Sequence, residues 1–100
     1  MAPNYCSAYK NRGGARSAKG EFEKAIADFD EAIRLEPNFA AVYYNRACCY
    51  SLQGKPDQAI ESLEQAFRLG YANFELLRKD PELNSIRDDP RFKNLVNKGK

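Results

Sequence analysis

Histidine and tryptophan are absent from this 100-residue chain, and it has one methionine and three cysteines. Without histidine, the usual general base, the usual activator of a cysteine nucleophile and the commonest metal ligand are all missing. A cysteine nucleophile at Cys48 would have no imidazole to activate it, and a zinc site would need a carboxylate in place of the imidazole. Cys6, Cys48 and Cys49 are odd in number, and two of them are adjacent in the sequence. Neighbouring cysteines in one helix point in different directions, so reduced, helix-packing thiols are expected, as suits the cytoplasm. No phosphate-cradling glycine loop or metal-ligand cluster is present, and neither cofactor nor metal is expected.

Charge of one sign is missing too. Sixteen basic residues stand against fourteen acidic ones, for a net charge of +2. Lys10, Arg12, Arg16 and Lys19 gather in one stretch, but four charges make a poor electrostatic footprint, and nucleic acid is not the expected partner. No apolar run approaches the roughly 20 residues of a membrane helix, and Met1-Ala2-Pro3-Asn4 has no signal-peptide core, so neither membrane association nor export is expected. Asp28, Asp30 and Glu31 look catalytic until they are placed on a helix, where the pattern puts them on the solvated side. The chain is not expected to be an enzyme.

What the chain does contain is a repetition. Tyr9, Asn11, Arg12, Ser17, Gly20, Ala25, Ile26, Ala32, Arg34 and Leu35 each recur, unchanged and without a gap, 34 residues later, at Tyr43, Asn45, Arg46, Ser51, Gly54, Ala59, Ile60, Ala66, Arg68 and Leu69. A 34-residue period is that of a helix–turn–helix unit. Ala25, Phe29 and Ala32 step by four and three, as do Ala59, Leu63 and Ala66, giving one apolar stripe per second helix. Gly20 and Gly54 suit the left-handed conformation that ends a helix, Pro56 suits a first helical turn, and Pro37 stops the helix before it. Gly13 and Ala47, with the four stripe alanines, let helices approach closely, while Tyr9, Tyr43 and Phe29 fill the gaps.

These residues resemble the tetratricopeptide repeat family over roughly positions 6–73. The resemblance rests on the aromatics Tyr9 and Tyr43, the small residues Gly13 and Ala47, the alanines Ala25, Ala32, Ala59 and Ala66, and Pro37. Arg16 stands where the family has an aromatic, which predicts a looser first helix pair. Tyr71 stands where a second closing proline belongs, so the array is expected to lose its regularity there. The implied fold is all-α, a right-handed superhelix of antiparallel helix pairs, with helices over 5–18, 22–35, 39–52 and 56–69. Repeats are expected over 6–39 and 40–73.

The segment 74–98 is not a third copy. Asp80 and Asp89 each precede a proline, an N-cap followed by a first-turn proline. Short helices are expected over 73–79, 82–87 and 90–98, anchored by Leu83, Ile86, Phe92, Leu95 and Val96 and capping the stack, since a solenoid must cover its last apolar face. At the front, Pro3-Asn4 lies 34 residues before Pro37-Asn38. Either the chain is a piece of a longer array, the favoured reading, or Pro3-Asn4 simply starts the first helix. On both readings the outer flank of the first helix pair is uncovered, and a homodimer through that flank is a candidate.

The resemblance further implies a concave groove lined by first helices, at Ser7, Lys10, Asn11, Gly14 and Ser17 in unit one and Ala41, Tyr44, Asn45, Cys48, Ser51 and Leu52 in unit two. The candidate peptide contacts are Lys10, Asn11, Tyr44, Asn45 and Cys48, with Lys79 beyond them. Asn45 leads, because an amide can satisfy a peptide group as donor and acceptor together. Some relatives clamp a terminal carboxylate with Lys and Asn. Lys10 and Asn45 fit that pattern, but Gly14 replaces one Asn, the third unit is missing, and Glu75 would repel a carboxylate that Lys79 would attract, so a weak clamp at most is implied. The expected function is protein–protein interaction, a scaffold or adaptor holding a partner's peptide. The alternative is the terminal cap or self-association module of a longer array, with no ligand of its own.

Overall fold

The structure, a computed structural model, describes residues 5–71 and 73–97. Its elements are α1 (Tyr5–Ala18), α2 (Phe22–Leu35), α3 (Ala40–Leu52), α4 (Pro56–Arg68), α5 (Phe74–Lys79), a 3₁₀ helix (Pro81–Ile86) and α6 (Pro90–Asn97). All the regular structure among the described residues is helical, as a tetratricopeptide-type fold requires. The expected helix at 39–52 starts one residue later, with Phe39 as its N-cap, and that at 56–69 ends one earlier, with Leu69 as its C-cap. The stretch expected at 82–87 is a 3₁₀ helix from Pro81: only a few residues separate two Asp-Pro breaks, and a short segment closes more readily with i→i+3 bonds. Pro3, Asn4 and Lys98 lie outside the described residues.

Three helices end alike. Gly20 (φ +82°), Gly54 (φ +74°) and Gly70 (φ +97°) take the left-handed conformation. The following amide in each case bonds back across the last turn: Glu21 N–H to the Arg16 carbonyl, Lys55 to Tyr50 and Tyr71 to Ala66, at 2.9, 2.9 and 3.0 Å. These bonds satisfy carbonyls the helix itself leaves open, and a Cβ would oppose the backbone that makes them. Pro56 opens α4 as expected, and Asp80 and Asp89 both accept a backbone amide at the start of the next helix, at 2.9 Å each.

Each helix pair is held by its small residues. Ala25, Ala32, Ala47, Ala59 and Ala66 are fully buried, and Phe29 and Leu63 fill the space between them. Gly13 belongs to the same layer: a Cβ on it would lie 2.6 Å from the Phe29 ring, so the large ring and the missing side chain require each other. One apolar cluster joins Cys6, Ala25, Phe29 and Ala32 to Val42 and Cys49 of α3, locking the first pair to the second. A second cluster runs from Ala47, Ile60 and Leu63 into Leu77, Leu83, Ile86, Phe92 and Leu95 of the C-terminal segment. That segment is also tied by Arg87, which donates to the carbonyls of Leu77 and Asp80 at 3.3 and 2.6 Å, and also to that of Arg78, closing the end of α5.

Two sequence expectations need correction. Asp28 is not on the solvated side: it is buried, 3% exposed, where it accepts two hydrogen bonds from Arg12 (3.0 and 2.7 Å) and one from Arg16 (3.1 Å). A buried carboxylate requires such partners, and α1 presents both cations one turn apart. Arg16, expected to loosen the first pair, therefore bridges α1 to α2. Asp30 and Glu31 do face outward, paired with Arg46 and Arg34 respectively.

Candidate functional site

The inner positions of the two first helices have different fates. In α1, Lys10 lies with its Nζ 5.3 Å from the centre of the Phe39 ring, Asn11 is exposed, and Gly14 opens onto free space. Ser7 and Ser17 are half-buried. In α3, Tyr44, Cys48 and Ser51 are buried, Ala41 and Asn45 are half-buried, and Leu52 is exposed.

The C-terminal segment causes the difference. The Tyr44 hydroxyl donates to Asp80 Oδ2 at 2.5 Å, and its ring stacks on Tyr71 with centroids 4.8 Å apart. Cys48 Sγ lies 3.9 Å from the same Asp80 oxygen. Ser85 Oγ is 2.8 Å from Ser51 Oγ and donates to the Ser51 carbonyl at 2.7 Å. Thus the structure places Tyr44 and Cys48 as a floor under the cap, and leaves Lys10, Asn11 and Asn45 toward solvent. Lys79 is exposed on α5 and paired with Glu75 at 3.4 Å. Sequence reasoning missed Asp80 and Ser85 as contacts. A signal for Ser85 existed, since Ser17, Ser51 and Ser85 continue the 34-residue spacing.

The electrostatics follow from that burial. Desolvation pushes the Tyr44 hydroxyl well above its ordinary value, with the Asp80 hydrogen bond adding to it. Desolvation, then the Asp80 and Glu82 charges, push the Cys48 thiol up likewise. Cys48, Asp80 and Glu82 bring donor atoms within 4.8 Å of one another. A metal there would need the thiolate that this environment disfavours, and the Asp80 oxygens already cap the 3₁₀ helix and hold Tyr44. The basic stretch of α1 is largely spent: Arg12 and Arg16 neutralise Asp28, and Lys10 covers an aromatic ring.

Among the amides, Asn11 and Asn45 stand at equivalent places in the two units, and neither side chain hydrogen-bonds to a described residue. The arginine that follows each is committed inward: Arg12 Nε donates to Asp28, and Arg46 Nε to Ser62 at 3.1 Å. The result is a pair of unengaged donor–acceptor groups one repeat apart, the arrangement that an extended backbone can satisfy. Among the described residues, no helix is long and apolar enough to cross a membrane.

Comparison with known proteins agrees with this architecture. Residues 13–54 match the family model described as TPR repeat, and residues 40–70 match that described as tetratricopeptide repeat. No curated protein matches the chain.

Proposed function

The chain belongs to the tetratricopeptide repeat family, whose units mediate protein–protein interaction and are typically non-catalytic, and we propose that it is a scaffold or adaptor domain that holds a peptide segment of a partner. The peptide lies across the inner positions Lys10, Asn11 and Asn45. Tyr44 and Cys48, buried under the C-terminal segment, support α3 from beneath rather than touching the peptide, and Lys79 offers a second cation on α5. The observation that carries this reading is the pair of amides at Asn11 and Asn45, in register one repeat apart and unengaged among the described residues.

Peptides selected from a random library against the whole chain provide the test. Titrated against variants, they lose about five- to tenfold in affinity on Asn45→Ala, the worth of one or two neutral hydrogen bonds, and less on Lys10→Ala. Selected peptides that bind both variants as tightly as the parent chain refute the groove. The uncovered Tyr5–Tyr9 face favours a second reading, an assembly or terminal module whose contacts run through the outer side of α1. Binding abolished by changes on that face, with Asn45→Ala neutral, selects it.

A further inference from the structure

Counted at the 34-residue spacing, α6 stands where a third second helix would, but its character has changed. Ala25 and Phe29 of α2 share an apolar cluster with Val42 and Cys49 of α3. Ala59 and Leu63 of α4 likewise share one with Leu77, Leu83 and Ile86. These are the positions on which the following helix rests. Their counterparts on α6 are Lys93 and Asn97, both exposed. A further repeat stacked in the manner of the first two would bury a lysine and an amide there, at the cost of desolvating both. The surface beside them is therefore suited to something other than continuing the stack.

Between the end of α5 and α6 lies a hollow of about 330 Å³, lined by Arg78, Arg87, Phe92, Lys93, Val96 and Asn97. Its apolar part is Phe92, buried, and Val96, half-buried. The rest holds three cations and no acid. Lys93 forms no ion pair with a described residue. Arg78 Nη1 is 3.6 Å from Glu75, a carboxylate that is itself 73% exposed and shared with Lys79. Arg87 lies 5.7 Å from the centre of the Phe92 ring and spends its N–H groups on neutral acceptors, the carbonyls of Leu77, Arg78 and Asp80 and the Asn84 side chain. Its charge therefore meets no carboxylate. Elsewhere the chain pairs its arginines: Arg12, Arg16, Arg34, Arg46 and Arg91 each meet an acid.

We propose that this hollow docks a segment of a partner protein in which an acidic side chain stands beside an aliphatic or aromatic one. Arg78 and Lys93 hold the carboxylate, and the apolar neighbour covers Phe92 and Val96. Arg87, its donors already taken, adds charge alone. A surface that is cationic around an apolar floor has an acidic, apolar complement. The volume lies at the low end of binding sites, roughly 300–1,000 Å³, and suits one or two side chains. The residues that follow in the sequence, Lys98, Gly99 and Lys100, bring two more cations and no acidic side chain. The site draws on α6, outside the row of first helices that carries Asn11 and Asn45, and does not rest on a peptide bound there.

The probes are two capped heptapeptides with Leu-Glu-Leu or Phe-Asp-Leu at the centre and glycine and serine around it, titrated into the full chain by NMR. Capping leaves the side-chain carboxylate as the one anion. Saturable shifts are expected at Arg78, Lys93 and Val96. Replacing the acid by its amide weakens binding about fivefold, and added salt weakens the acidic peptides more than the amide ones. Lys93→Glu in the protein abolishes binding, and Arg78→Gln weakens it. Lys93 is exposed, so its variant is expected to keep the native circular dichroism; Lys93→Ala, weakening binding about threefold, serves in its place if it does not. Absence of saturation with both peptides, equal binding of acid and amide, or binding that Asn45→Ala weakens and Lys93→Glu does not, overturns the proposal. A dimer of the chain that Lys93→Glu disperses overturns it as well, by making a second copy the occupant.

Discussion

The first and second repeats share a backbone plan but fill it differently. Where the first pairs Gly13 with Phe29, the second pairs Ala47 with Leu63: a larger residue on one helix is matched by a smaller one on its neighbour. Where the first buries Asp28 under two arginines, the second buries Ser62, which meets only Arg46. The flanks differ as well. The second repeat is sealed by a broken third helix that packs Asp80 and Ser85 on α3, while the first presents Tyr5 and Ala8 to solvent. Equivalent positions are therefore not interchangeable one at a time. Volume and charge are conserved by pairs within each unit, and a repeat consensus records the positions but not the pairing.

The largest expected effect separates the two polar cores. Replacing both Arg12 and Arg16 by alanine strands the Asp28 carboxylate, and a buried charge without a partner costs roughly 3–5 kcal/mol. In the second repeat, Arg46→Ala takes a partner from the buried Ser62 hydroxyl and from Asp30, which is exposed and falls back on water, for about 1 kcal/mol. Urea unfolding of the two variants measures the contrast. Equal losses would mean that Asp28 is hydrated in solution and that the repeats do not differ in this respect.

Packing comes next. Gly13→Ala gains helix propensity but drives a methyl into a ring that is 1% exposed and has nowhere to go, for a net loss of about 1–2 kcal/mol. Phe29→Leu in the same chain, which reproduces the Ala47–Leu63 pair, recovers most of it. A double variant no more stable than Gly13→Ala alone would show that the pairs are independent.

The smallest effect is confined to alkaline pH. The thiol of Cys48 and the hydroxyl of Tyr44 ionise less readily folded than unfolded, because burial and the Asp80 contact oppose the anion. Stability from these groups is complete below their unfolded values, ordinarily 9.0 and 10.0, and is lost as pH rises past them. The expected slope is about 1.4 kcal/mol per pH unit for each group that must ionise. Cys6 and Cys49, also raised by burial, steepen it. The first repeat has Lys10 and Gly14 at the positions of Tyr44 and Cys48, so Cys48→Ala flattens the fall between pH 9 and 10. Chemical unfolding at stepped pH reads this directly.

Much of this molecule was legible in its residues, for physical reasons. Periodicity, glycine stops and Asp-Pro starts are local signals, and they located the four long helices to within a residue at each end. Asp28 was misplaced because its neighbours on α2 make that edge of the stripe look polar, while its partners come from another helix. The exposure of Asn11 and Gly14 on α1 was readable, but the burial of Tyr44 and Cys48 on α3 was not: a regular third helix would have left both uncovered. The break at Asp80-Pro81 instead brings a tighter turn down onto both. Arg12 and Arg16, one turn apart on α1, were the available hint that a carboxylate had to face them.

The central claim is that one helical hairpin is written twice and that, among the described residues, its second copy is covered by the C-terminal segment while Tyr5 and Ala8 of its first stay exposed. Residue-resolved native hydrogen exchange tests it most directly. The amides of α3 and α4 are expected to exchange only through global unfolding and those of α1 first, by a lower-energy opening. An α1 as protected as α3, or a C-terminal segment that opens before α1, would contradict it.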